Sequence, residues 1–211
     1  MGKRKIIDIQ AQKRRKNRRS IFLDDGSVFG ISEDVFFSIP VQIGDTLTDQ
    51  ELDDILVADY QQKILDFALN LLSYRMRSKV ELMHRLKRKK FNEDGIYSVM
   101  EKLETKGYID DQKFAWAFAR EKVRRKLIGP MALRSEFSVH RLDPDILEYT
   151  LKKTYDEFPE HTLMDQLLEK RRVPMNKPLD IMEKKNAVKA LRNKGFSWDR
   201  IQEILVKRGN I

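Results

Sequence analysis

The feature that most constrains the fold is a spacing of apolar residues around one helix-capping residue, which occurs three times along the chain. The three sets are Leu82, Leu86, Phe91, Asn92, Ile96 and Met100; Leu133, Phe137, Leu142, Asp143, Leu147 and Leu151; and Ala187, Leu191, Phe196, Ser197, Ile201 and Leu205. Asn, Asp and Ser side chains accept hydrogen bonds from the free amides at the start of a helix. Each set therefore predicts two helices joined by a chemically specified corner, and the recurrence predicts a repeat architecture.

An apolar stripe at helical spacing precedes the first set and predicts a further helix there, in Ile64, Phe67, Ala68, Leu71 and Leu72. With this helix the unit has three helices. Stacked units of this kind bury a continuous core between neighbours and form a quasi-one-dimensional array. We therefore predict a mainly α fold, in which three tandem three-helix repeats form an elongated curved rod over residues 58–110, 111–159 and 160–211.

The first 57 residues have a different pattern and predict a small β-rich N-terminal domain. Asp24, Asp25 and Gly26 lie between two short apolar runs, as in a hairpin turn, and residues 6–9 suit a third strand. Helix and loop signals follow, namely an N-cap at Ser32, breaks at Pro40 and Gly44, and a capping box formed by Thr48 and Glu51.

Composition narrows the class of partner. Lys and Arg outnumber Asp and Glu by 42 to 33, which gives a net charge of +9 and favours binding to polyanions. Cysteine is absent, so disulfides, thiolate nucleophiles and cysteine-bound zinc are excluded. No stretch resembles an export signal or reaches the roughly 18 apolar residues of a membrane span. We expect a soluble, cytoplasmic protein with no membrane contact.

Catalytic patterns are missing from the sequence. There is no phosphate-binding loop, dinucleotide-binding glycine motif, zinc-protease motif or nucleophile elbow. The histidines are far apart, and the acidic pairs at 24–25, 53–54 and 110–111 suit a turn, an exposed helix face and a helix cap better than a metal site. We expect no enzyme activity, no metal and no cofactor.

Basic clusters are the strongest functional signal. One run extends from Lys13 to Arg19, and others lie near the ends of predicted helices, where cations also complement the helix dipole. Their number exceeds what capping needs, so we predict that they contact a nucleic acid or nucleoprotein filament, the alternative being solvated faces. The candidate contact residues are Lys13, Arg14, Arg15, Lys16, Arg85, Arg88, Lys89, Lys90, Arg120, Arg124, Arg125, Arg171 and Arg172. Trp116 and Trp198 are the aromatic residues that could stack on bases.

Several short motifs resemble the RecX family, the regulatory proteins of the RecA recombinase. They are Arg77-Ser78-Lys79, Glu81-Leu82, Lys90-Phe91, Gly107-Tyr108-Ile109-Asp110-Asp111, Lys113-Phe114-Ala115, Gly129-Pro130, Glu136-Phe137 and Lys194-Gly195-Phe196. The resemblance covers residues 58–211. The corner before Leu142 lacks the family's usual glycine, and Phe137 stands where leucine is common.

The resemblance implies a non-enzymatic rod that binds RecA filaments on single-stranded DNA, and we expect a monomer. It would suppress ATP hydrolysis, strand exchange and co-protease activity, and so affect DNA repair, recombination and the SOS response. Some direct binding to single-stranded DNA is implied, and binding to double-stranded DNA stays open, as does the choice between the filament groove and the filament end. The alternatives are a helix-turn-helix regulator that reads a palindromic site and a metal-dependent nuclease that uses the acidic pairs.

Overall fold

The computed structural model describes residues 2–39 and 41–211. Pro40, where the sequence predicts an interruption of secondary structure, lies outside the described residues. The strands are β1 (Lys3–Ala11), β2 (Arg18–Leu23), β3 (Val28–Ser32) and β4 (Thr46–Thr48). The helices are α1 (Glu33–Ser38), α2 (Asp49–Tyr74), α3 (Lys79–Arg88), α4 (Glu93–Thr105), α5 (Asp111–Lys126), α6 (Pro130–Phe137), α7 (Pro144–Glu157), α8 (Glu160–Lys170), α9 (Ile181–Asn193) and α10 (Trp198–Lys207), with a 3₁₀ turn at Ser138–His140. The predicted mainly α fold with a small β-rich N-terminal part is confirmed.

The strands form an antiparallel sheet in the order β3-β2-β1-β4. The predicted hairpin turn is confirmed, with Gly26 at a φ of +83°, which glycine adopts without steric cost. The strand predicted at residues 6–9 is also confirmed and is longer, extending from Lys3 to Ala11. Strand β4 was not predicted, because three residues are too few to show an alternating pattern.

The described residues form two compact units. The first combines residues up to Arg75 with Leu82–Tyr108, and the second combines Met76–Glu81 with Ile109–Ile211. A single helix, α2, runs through the first of the domain boundaries predicted from the sequence. The predicted three-repeat division and the rod shape stay proposals.

In the first unit, α2 begins at the predicted capping box. The Thr48 side chain accepts from the Glu51 amide, and the Glu51 carboxylate accepts from the Thr48 amide. Helix α4 packs closely on α2 at Gly95, where an added Cβ would lie 2.6 Å from the Ile64 side chain. A larger residue at position 95 would therefore require the Ile64 and Asn92 side chains to move.

Helix α3 ends earlier than its apolar stripe predicts. The stripe suggests a helix as far as Phe91, but the helix ends at Arg88 and Lys90 has a φ of +65°. This left-handed residue interrupts the helix, and the Phe91 ring packs edge-on against the rings of Tyr60 and Phe67. The aromatic contacts thus hold the corner that leads to α4.

In the second unit, the segment before α6 packs against the end of α9. The Gly129 amide donates to the Lys194 carbonyl at 2.7 Å, and an added Cβ on Gly195 would lie 2.3 Å from the Ala132 amide nitrogen. Gly195 has a φ of +82°, the left-handed conformation in which a helix commonly ends at glycine. Glycine at 129 and 195 therefore permits a backbone approach that joins two helical segments.

The helix corners follow the repeated spacing. Asn92, Asp143 and Ser197 each accept a hydrogen bond from a backbone amide in the first turn of the following helix, as predicted. Pro144 lies in the first turn of α7, where its missing amide costs nothing. The apolar residues of all three sets are buried or half-buried. The threefold apolar spacing thus marks the inward faces of six helices.

Candidate nucleic-acid and filament interface

The first basic cluster lies in the loop between β1 and β2. Lys13, Arg14, Arg15 and Lys16 are exposed, and none has an acidic partner in the described part of the chain. The end of the same run turns inward: Arg18 pairs with Asp59 at 2.9 Å. Arg19 pairs with Glu33 at 3.1 Å and covers the Phe36 ring. The sequence run therefore divides into an exposed half and a structural half.

The second cluster lies at the end of α3. Arg85, Arg88 and Lys90 are exposed and have no ion pair within residues 2–39 and 41–211. Lys89 is also exposed, and its ammonium lies 5.7 Å from the centre of the Phe67 ring. The neighbouring Lys87 pairs with Glu93 at 2.6 Å, and its hydrogen bond holds the pKa of that carboxyl below its usual value. Most of this cluster is thus free to meet an anion.

The third cluster lies on the exposed side of α5. Arg120, Arg124 and Arg125 line an open depression together with Ala117 and Glu121. Arg125 pairs loosely with Glu121 at 3.4 Å, and Arg120 pairs with Glu157 of α7 at 2.8 Å. No acidic partner of Arg124 is found among the described residues. The structure therefore brings these three predicted residues together and leaves Arg124 the most available of them.

Two other lysines of the same run have a structural role. Lys122 donates to Glu136 at 2.7 Å, and Lys126 contacts the other oxygen of that carboxylate. The hydrogen bonds from Lys122 and Lys126 lower the pKa of Glu136 to about 2. Their charge is compensated within the fold, so they add little to an anion-binding surface.

The fourth cluster follows α8. Arg171 and Arg172 are exposed, and Arg172 has a φ of +59°. Both line a pocket whose other walls are Val173, Pro174, Leu179, Glu183, Asn186 and Ala187. The predicted contact of the four clusters with a nucleic acid or nucleoprotein filament stays a prediction.

One arrangement of side chains, around Trp116, was not predicted from the sequence. The Lys153 ammonium lies 4.4 Å from the centre of the Trp116 ring and 5.7 Å from that of Tyr149. The Arg120 guanidinium lies 5.6 Å from the Trp116 ring. The sequence does indicate an aromatic–cation contact within each helix, because an aromatic residue is followed four positions later by a cation in both α5 and α7. What the sequence does not show is that these two helix faces adjoin.

The histidines do not form a joint site in the structure. His84 and His161 are exposed, whereas His140 is buried, with Nδ1 2.9 Å from the Ser78 hydroxyl oxygen and its ring against those of Phe114 and Phe118. Within the described ranges, no group of three or more His, Asp or Glu side chains has the arrangement of a metal site.

The acidic pairs occupy the places predicted for them. Asp25 accepts hydrogen bonds from Ser27 in the hairpin turn, and Asp53 and Asp54 are exposed on α2. Asp110 caps α5 by accepting from the Lys113 amide at 2.9 Å, which lowers the pKa of its carboxyl. No helix in the part of the chain that the structure describes is long and apolar enough to cross a membrane.

Fold and surface together define a mainly helical protein, with a small N-terminal antiparallel sheet and exposed basic clusters on loops and helix ends. The family model for the first three-helix domain of RecX matches residues 65–103. Regulatory protein RecX of Bacillus subtilis is 31% identical over 199 residues, which cover 93% of this chain and 74% of that protein. The chain belongs to the RecX family.

Further relatives and two solved structures are also similar to this chain. Regulatory protein RecX of Staphylococcus carnosus is 27% identical over 204 residues, covering 95% of this chain and 74% of that protein. The match to regulatory protein RecX of Listeria welshimeri, 31% identical, covers 72% of this chain and 57% of that longer protein. A crystal structure of a regulatory protein RecX superposes with a TM-score of 0.76 at 27% identity, covering 95% of this chain and 98% of the other. RecX from Lactobacillus salivarius has a TM-score of 0.61 at 26% identity, covering 71% and 97%.

Proposed function

We propose that this protein binds RecA filaments on single-stranded DNA and lowers their ATP hydrolysis, strand exchange and co-protease activity. Membership of a family whose relatives are named regulatory proteins supports a regulatory role. On this proposal the protein acts in the cytoplasm, as a monomer and without catalysis, and affects DNA repair, recombination and the SOS response.

The observation that carries the proposal is the set of exposed cations without internal partners. An ion pair inside the fold already satisfies a cation, so an unpaired one loses least when it meets phosphate or an acidic protein surface. Each neutralised phosphate releases condensed counterions, which favours binding. Among the predicted contact residues, those that meet this description in the described chain are Lys13, Arg14, Arg15, Lys16, Arg85, Arg88, Lys90, Arg124, Arg171 and Arg172.

Binding alone would be enough for inhibition. A filament repeats the same subunit surface, and a chain with several similar units could make several weak contacts to it at once. The second contact is then intramolecular, so the summed affinity exceeds that of each contact. A protein attached to two adjacent subunits would resist the rearrangement that accompanies nucleotide turnover.

The test is a titration of this protein into RecA filaments that hydrolyse ATP on single-stranded DNA. We expect the hydrolysis rate to fall at substoichiometric amounts of the protein, with strand exchange falling in parallel. Unchanged rates at equimolar protein, under conditions where the protein is folded by circular dichroism, would contradict the proposal.

A further inference from the structure

Helices α5 and α7 present two aromatic side chains and two cations side by side on the second unit. Trp116 and Arg120 come from α5, and Tyr149 and Lys153 come from α7. We call these four residues the aromatic–cation patch. The Lys153 ammonium is shared between the two rings, 4.4 Å from the centre of Trp116 and 5.7 Å from that of Tyr149. The patch is therefore a single surface and not two separate contacts.

The rings of the patch differ from the other aromatic residues of α5. Phe114 is buried, and Phe118 packs against the hydrophobic core of the second unit. Among the described residues, Trp116 is not part of that core, although it lies on the same helix. Tyr149 is 51% exposed. Core packing thus accounts for Phe114 and Phe118 but leaves the ring of Tyr149 and the half-buried ring of Trp116 at the surface.

The charges around the patch favour an anion. Within the patch, Arg120 pairs with Glu157 at 2.8 Å. Glu121 lines the adjoining depression and pairs with Arg125 at 3.4 Å. Lys153 is exposed and has no acidic partner in the described ranges. One helical turn beyond Arg120, the open depression adds Arg124, which is also unpaired there. In the described ranges, Lys153 beside the rings and Arg124 in the adjoining depression therefore keep a positive charge that no acidic side chain compensates.

We propose that the aromatic–cation patch binds single-stranded DNA, with bases stacked on Tyr149 and Trp116 and phosphates held by Lys153, Arg120 and Arg124. Every nucleobase has a π-face, but that face is available to a side chain only in an unpaired strand. The exposed Lys153 ammonium moves from the ring face to a phosphate when a base takes its place. The inference deepens the proposed function, since it names how the protein would hold the DNA of a filament. The DNA-binding test of the patch uses no recombinase, so this inference and the proposed inhibition of RecA can fail independently.

The chain has two tryptophans, and this allows a direct test. Trp198 is 54% exposed at the start of α10, so Trp198→Phe leaves Trp116 as the sole tryptophan without disturbing the core. We expect an oligothymidine strand to quench the fluorescence of this full-length variant in a saturable way. An abasic strand of equal length and charge should bind more weakly and leave the emission unchanged. Saturable binding of oligothymidine by anisotropy, without any change in Trp116 emission, would overturn the proposal.

A pair of matched tyrosine variants separates stacking from charge. Tyr149→Ala should weaken binding of the oligothymidine strand about 10-fold, within the range found when a stacking side chain is removed. Tyr108→Ala is the control, because Tyr108 is 57% exposed and lies outside the patch. Neither change alters the net charge, and Tyr149→Phe should retain most of the affinity. Equal affinity of the Tyr149→Ala variant and the parent, or equal loss in both alanine variants, would overturn the proposal.

Discussion

Asp59 joins the N-terminal sheet to helix α2. Its carboxylate accepts from the Ser32 amide at 2.7 Å, forms a two-pronged pair with Arg18 at 3.1 and 2.9 Å, and contacts Lys63 at 2.7 Å. Burial raises the pKa of Asp59, but the hydrogen bonds from Arg18, Lys63 and Ser32 outweigh it and hold the pKa below its usual value. The side chain therefore stays charged at neutral pH inside the first unit.

Removal of the Asp59 carboxylate should lower the free energy of unfolding. Asp59→Ala leaves the Arg18 guanidinium largely buried without its partner, and losing one member of a buried ion pair costs about 3–5 kcal/mol. Chemical denaturation should show that loss in the free energy of unfolding. Asp53→Ala, on the exposed face of the same helix, is the matched control and should change stability by no more than about 0.5 kcal/mol. Similar small losses in both variants would show that the Asp59 network is not structural.

Glu136 provides a prediction about pH. Its pKa is lowered from 4.5 to about 2 in the folded protein, so its ion pairs with Lys122 and Lys126 stabilise the fold above pH 4.5. That contribution is lost as the pH falls towards 2, and it amounts to at most about 3 kcal/mol. Glu136→Gln should therefore be destabilised at neutral pH and match the parent near pH 2. Glu148→Gln, which loses an exposed pair with Arg134, is the control and should show a smaller difference. A pH-independent gap between parent and Glu136→Gln would contradict this account.

Residue types alone predicted some of these roles and not others. Asn92, Asp143 and Ser197 were recognised as caps because capping depends on local sequence. The roles of Arg18 and Asp59 were missed, since they lie 41 residues apart in sequence and only the tertiary fold brings them together. The same reason explains why Lys153 was not linked to Trp116.

Within the single helix α3, the residues that stabilise the fold and those proposed to bind the filament lie on different faces. Leu82 and Leu86 on one face are buried, whereas Arg85, Arg88 and Lys90 are exposed on or just after the helix. The apolar spacing predicted the buried face. It did not predict the helix end, because a lysine gives no local signal for the left-handed conformation that Lys90 adopts.

Substitutions on the two faces of α3 should have different effects. Leu86→Ala opens a cavity at a fully buried position and should cost about 2–5 kcal/mol, seen as a lower melting temperature by circular dichroism. A second variant replaces Arg85, Arg88 and Lys90 with Gln. It loses charge with little change in helix propensity, so its melting temperature should stay close to that of the parent. A triple variant that melts as low as Leu86→Ala would show that these cations stabilise the fold.

At the scale of the whole molecule, the sequence predicted the mainly α fold, the N-terminal hairpin and the helix corners, because each depends on local periodicity or turn chemistry. It did not distinguish free cations from paired ones. Within the described residues the basic runs divide into exposed groups such as Arg85 and Arg88 and internal ones such as Lys122. That division depends on which acidic side chains the tertiary fold places beside each cation. It identifies which of the cations behind the net charge of +9 are candidate contact residues.

Two triple variants, compared in the RecA hydrolysis titration, test whether the unpaired cations of α3 bind the filament. In one, Gln replaces Arg85, Arg88 and Lys90. In the other, Gln replaces Lys102, Lys106 and Lys185, which are exposed lysines outside the four clusters. Both lose the same charge, so non-specific attraction falls equally in the two. We predict that the second variant inhibits ATP hydrolysis like the parent and that the first, although it melts normally, needs at least about 10-fold more protein, as expected when several phosphate contacts are lost. Inhibition by the first variant at the parent's concentration would contradict the claim that these unpaired cations bind the filament.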